Sequence, residues 1–142
     1  MSEGGCFCGA HFVIAPIARR HTITTSMHTL LPTNIPQITG STYSTNIVVP
    51  GDGFSVTQGT PKTYAKKADS GSEITSYFCG DCGTTLFRST PSFGDAKIIK
   101  VGVMDNAEKA FADAKPAVEL FAKDRVSWVG AAEGAEQKQA MS

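Results

Sequence analysis

Between Cys8 and Cys79 the chain contains no cysteine, and it has only four in all. That gap excludes a thiolate metal site built from the intervening segment. Charge of one sign is also lacking, since 13 basic side chains meet 13 acidic ones. A nucleic-acid or anionic-membrane partner would normally require a basic face, so neither is expected. No apolar run approaches the length that spans a bilayer. The opening Met-Ser-Glu-Gly-Gly has neither the basic nor the apolar region of a secretory signal. These absences predict a soluble, cytoplasmic protein whose thiols stay reduced. A length of 142 residues suits one domain with a modest core.

The cysteines that are present come in two tight pairs, Cys6-Phe-Cys8 and Cys79-Gly-Asp-Cys82. Scattered buried thiols would not pair in this way, and a reducing compartment disfavours disulfides. A redox Cys-x-x-Cys normally opens a helix in a βαβ unit. Here Ile74–Phe78 and Thr84–Phe87 read instead as two strands around a turn. Two thiolate pairs brought together satisfy a tetrahedral zinc site, so Cys6, Cys8, Cys79 and Cys82 are the predicted ligands of one structural ion. Gly9, Gly80 and Gly83 beside them are expected to let backbone N–H groups reach the sulfurs.

From Ser41 onward the chain reads as short strands divided by turns, as in an all-β sandwich or open barrel. The expected strands are Thr42–Val49, Phe54–Gln58, Thr63–Tyr64, Ile74–Cys79, Thr84–Ser89 and Lys97–Val103. One short helix is expected over Asn106–Ala114, with Asp105 as its N-cap and Pro116 preventing extension. Trp128 reads as a core or edge anchor. A single domain is expected over 1–130, and 131–142, small and polar, reads as a disordered tail.

Residues 12–38 do not match the rest. They contain no Gly, Asp, Glu or Lys, although the whole chain has 14 Gly and 18% charged residues. Five threonines and three prolines lie there without helical or strand periodicity, so no element is assigned. His21 and His28 fall inside this segment and His11 just before it. None of the three has the short fixed spacing of a zinc site, and all three read as exposed loop histidines.

At Gly4-Gly-Cys-Phe-Cys-Gly9, Thr39-Gly-Ser-Thr-Tyr-Ser44, Phe54 with Gly59, and Phe78-Cys-Gly-Asp-Cys-Gly-Thr84, the sequence resembles the glutathione-dependent formaldehyde-activating family, which includes the centromere-protein-V-like domains. The Lys97–Val103 strand and the stretch from Lys115-Pro116 to Trp128 fit that family's usual ending. The resemblance implies a mostly β, Mss4-like β-tent and carbon–sulfur lyase chemistry that joins formaldehyde to glutathione or cleaves related thiol adducts. It also implies that the outer cysteine pairs, Cys6, Cys8, Cys79 and Cys82 here, hold a structural zinc. Glutathione or another small thiol is the implied partner.

The family carries a further Cys-His-Cys-x-x-Cys motif for a catalytic zinc, expected shortly before Thr39, and it is absent here. A catalytic zinc needs about three protein ligands and an open position. No catalytic residue is therefore named, and an inactive or weakly active family member is expected. The alternatives are an active lyase with a rearranged site and a non-enzymatic zinc-ribbon-like binding module. The genetic code offers a reason for the loss. Read from the third base of the Phe12 codon, codons permitted for Phe12–Ala18 spell Cys-His-Cys, then Ser, Pro, Thr or Ala, then Asn-Cys. Thr33-Asn34 can contain a CTAAC branch point, and Gln37 can be the CAG that closes an intron. Phe12 to about Arg20 then reads as an out-of-frame exon and His21–Gln37 as translated intron. Such a segment is expected to fit the core poorly.

Overall fold

The computed structural model describes residues 2–15, 21–26, 35–68 and 71–140. In chain order the strands are β1 (Ser2–Gly5), β2 (Phe12–Ala15), β3 (His21–Ser26), β4 (Tyr43–Val49), β5 (Ser55–Gln58) and β6 (Lys62–Lys67). There follow β7 (Glu73–Phe78), β8 (Thr85–Ser89), β9 (Lys97–Lys100), β10 (Val118–Leu120) and β11 (Glu136–Gln137). Among the described residues they are accompanied by the α-helices α1 (Ile35–Thr39) and α2 (Ala107–Asp113) and by short 3-10 turns. The fold is mostly β, as expected, and fits a β-tent.

Two sheets carry the architecture. The smaller is antiparallel in the order β1-β2-β5. The larger runs β11-β10-β3-β4-β9-β8-β7-β6, antiparallel from β3 to β6 and parallel at β3/β10 and β10/β11. Side chains alternate across a strand. One row of cross-strand partners therefore joins Ile47, Ile99, Phe87 and Tyr77 on a single face. The buried members of that row pack with Val13 of β2, Val49, Leu86, Val103 and Met104, so the main core lies between the sheets. Phe87 is its aromatic centre, stacked on Tyr77 at 4.3 Å and edge-on to Phe54 at 4.8 Å. On the opposite face, Val48 and Leu120 with Phe93, Ile98 and Val118 make a second, smaller cluster.

Several sequence expectations change. Residues 12–38 contain β2, β3 and the start of α1, and Val13 is only 1% exposed in the core. Val13, Ile14 and the Thr-Ile-Thr-Thr of β3 are β-branched and suit a pleated backbone without strict alternation. Val13 packs in the main core. Residues 16–20 and 27–34, including His28, lie outside the described residues. Strand β9 stops at Lys100, and Val101–Val103 turns in a 3-10 helix. Helix α2 is capped by Asn106 rather than Asp105. Asn106 takes the left-handed conformation, and its side chain accepts from the Lys109 N–H. Trp128 is 73% exposed and anchors no core. The C-terminal stretch expected to be disordered instead returns to the sheet as β11, with Glu136 N–H bonded to Ala117 O and Lys138 N–H to Glu119 O. The Glu119 carboxylate, nearly fully buried, holds this return by accepting from Arg125 at 2.7 Å and from the Ala132 N–H at 3.0 Å. Composition alone missed this, because the recruiting carboxylate sits on β10 rather than in the tail.

Candidate metal centre

Cys6 and Cys8 sit on the turn that joins β1 to β2. Cys6 N–H bonds to His11 O at 3.1 Å, and Gly9 N–H returns to Cys6 O at 3.0 Å. Gly9 has φ +75, a conformation that side chains disfavour, so glycine is what closes this turn. Cys79 and Cys82 sit on the turn from β7 to β8, built by the same device. Cys79 N–H bonds to Thr84 O at 2.9 Å, Gly83 N–H bonds to Cys79 O at 3.0 Å, and Gly83 has φ +76. The glycines thus supply the backbone bend, not the donors to sulfur. Those donors are the N–H groups of Asp81 and Cys82, 3.4 and 3.5 Å from Cys79 Sγ, and of His11, 3.3 Å from Cys6 Sγ.

The two turns meet. Cys6 Sγ lies 3.5 Å from Cys8 Sγ, Cys8 Sγ lies 3.6 Å from Cys79 Sγ, and all four sulfurs fall within 4.8 Å of one another. These separations are far too long for disulfides, whose sulfurs stand about 2.05 Å apart. They match the edge of a tetrahedron with metal–sulfur bonds of about 2.3 Å, whose edge is about 3.8 Å. Cys79 is fully buried and Cys6 nearly so, whereas Cys8 is exposed. Thr84 ties the turns together, its hydroxyl accepting from the Phe7 N–H at 3.2 Å and lying 3.1 Å from Cys82 Sγ.

Electrostatics favour a bound cation. The Thr84 hydroxyl and backbone lower the Cys82 thiol to about 5. Burial opposes ionisation of Cys6, but the side chain and backbone of His11 overcome it, and that thiol falls to about 7. At Cys8 the Ala10 amide favours the thiolate, yet the facing sulfurs of Cys6 and Cys82 push it up to about 12. Without a cation the sulfurs cannot all ionise together, and a divalent metal ion removes that conflict. The donor set therefore fits a metal ion.

His11 is not the exposed loop histidine expected from sequence. It is 6% exposed, and its Nδ1 lies 3.8 Å from Cys6 Sγ. Its ring lies against Gly59, where a Cβ would come within 2.6 Å of the ring and of Ala10 O. The interaction with Cys6 is the main reason its imidazole titrates above the ordinary value, against the effect of burial. His21 lies on β3 opposite Val48. Among the described residues, the four cysteines are the group that can hold a metal ion. Sequence reasoning found them from their spacing but missed His11, Thr84 and Gly59, whose roles depend on contacts between distant turns.

The profile of the glutathione-dependent formaldehyde-activating enzyme family matches residues 1–124. The chain belongs to that family. The match spans both cysteine turns and residues 12–38, and it ends before the β11 return. Among curated proteins no match was found. Among the described residues, no helix is long and apolar enough to cross a membrane.

Proposed function

We propose that this family member keeps one structural zinc, held by Cys6, Cys8, Cys79 and Cys82, and lacks the family's catalytic zinc. The observation that carries this reading is arithmetic. The chain has four cysteines, and all four stand in one cluster, so none remains for a second thiolate site. His11 supports it as well, because its ring is packed against Gly59 beside Cys6 rather than free to join another centre. The zinc supplies folding free energy by tying the N-terminal turn to the β7–β8 turn. The residues around it exclude water from Cys79, orient Cys6 through His11 and fix Cys82 through Thr84.

The ancestral substrate class on this reading is a glutathione–aldehyde adduct in a reducing cytoplasm, and adduct chemistry in the chain as it stands is absent or weak. Metal analysis of the purified protein should give one zinc per chain. Formaldehyde and glutathione should combine no faster with the protein than without it, as followed by NMR. A ratio near two, or a protein-dependent rate, would overturn this reading in favour of an active site that uses other ligands.

A further inference from the structure

The four sulfurs of the metal centre are not equally placed. Cys79 is fully buried, Cys6 nearly so, Cys82 is half-buried and Cys8 is exposed. Cys8 follows Phe7, whose side chain is 95% exposed, so solvent reaches this corner of the cluster. The same corner is where the two turns touch. Cys8 Sγ lies 3.5 Å from Cys6 Sγ on its own turn and 3.6 Å from Cys79 Sγ on the other. Cys82 Sγ instead stands 3.1 Å from the Thr84 hydroxyl.

A metal ion keeps its cysteine ligands as thiolates, the form that small oxidants attack, and oxidation favours the thiolate that solvent reaches. Cys8 is that thiolate, and Cys79 is a second one within contact distance that an external oxidant does not reach.

We propose that Cys8 is a redox modification site: hydrogen peroxide oxidises it, and Cys79 then closes a Cys8–Cys79 disulfide that frees the metal while keeping the two turns tied. In the first step the Cys8 thiolate attacks a peroxide oxygen, the O–O bond breaks and hydroxide leaves, giving a sulfenic acid. In the second, the Cys79 thiolate attacks the Cys8 sulfur, the S–S bond forms, the S–O bond breaks and a second hydroxide leaves. Each sulfur has given up one electron, peroxide has taken both, and two solvent protons turn the hydroxides into water. Cys6 and Cys82 are then the remaining thiolates, too few for a site that takes four ligands. The disulfide joins positions 71 apart in sequence, so it restrains the chain where the metal did. A Cys6–Cys8 bridge would enclose one residue in a turn already pinned by the Gly9 N–H to Cys6 O bond at 3.0 Å, and would leave the turns untied. Two molecules of a small thiol reverse the change by exchange and leave as their own disulfide. Metal release rests on the structural zinc proposed above, but the pairing of Cys8 with Cys79 is read separately.

The test uses the full-length, metal-loaded protein. One equivalent of hydrogen peroxide should release its zinc to a chromophoric chelator, and mass spectrometry of the digested product should find Cys8 joined to Cys79. The oxidised, metal-free protein should still unfold cooperatively on heating, and dithiothreitol with added zinc should restore the reduced, loaded form. Brief alkylation of the loaded protein should label Cys8 ahead of the other three. Cys8→His supplies a ligand nitrogen that peroxide leaves intact, so this variant should lose zinc to peroxide about tenfold more slowly. Should that variant not fold, the disulfide map of the unaltered protein decides alone. A Cys6–Cys8 or Cys79–Cys82 bridge, zinc retained through excess peroxide, or equally fast zinc loss from Cys8→His would overturn the proposal. Zinc content before oxidation judges the metal reading by itself: protein isolated without zinc would refute that reading, and the same map would still judge Cys8 and Cys79.

Discussion

Losing one sulfur from the cysteine cluster would leave three thiols facing one another at less than 5 Å, with Cys79 fully buried among them. Structural zinc contributes on the order of 10 kcal/mol to small domains, and the whole domain is worth only about 5–15 kcal/mol. Cys79→Ser and Cys6→Ser should therefore be recovered as insoluble or metal-free, unfolded protein. A soluble, folded Cys79→Ser protein without metal would contradict the structural role. His11→Ala acts less directly. It should leave the four sulfurs in place but speed zinc loss to a chelator by about tenfold, the effect of one hydrogen bond to a charged sulfur. Lys100 gives stability a pH dependence. Its pKa in the fold is about 7 against 10.5 for the free group, so between these values the unfolded chain binds the extra proton. Stability of the metal-loaded protein should therefore rise with pH across that window, and Lys100→Met should flatten the slope in denaturant titrations. The four cysteines were legible because ligand spacing is local. His11, Gly59 and Lys100 were not, because burial and partners set their roles.

The strands from β4 to β9 were legible in outline, since turn residues punctuate runs of β-branched and aromatic side chains. Strands β2 and β3 were not, because without alternation neither face announces itself. Val13 tests the point, because it sits with Ile47, Val49 and Ile99 in the main core. Val13→Ala should cost about 2 kcal/mol of unfolding free energy. An unchanged denaturation midpoint would mean that β2 contributes nothing and that residues 12–38 are foreign to the fold.

At the scale of the whole molecule, that question has a genetic form. Sequencing the transcript across Phe12–Gln37 should reveal a spliced species that restores Cys-His-Cys-x-x-Cys, and the protein made from it should bind two zinc ions. If transcripts encode His21–Gln37 only in the present frame, the loss of the catalytic motif belongs to the protein itself. The large sheet has two outer borders. At one end β6 carries Lys62, Lys66 and Lys67 and is exposed along its length, which discourages addition of another strand. At the other end β11, fastened through Glu119, covers the border of β10 with two residues. Covering that border should make residues 131–140 a guard against self-association. A chain cut at Gly130 would keep its metal centre but present unpaired β10 backbone, and light scattering should show it gathering into oligomers as concentration rises.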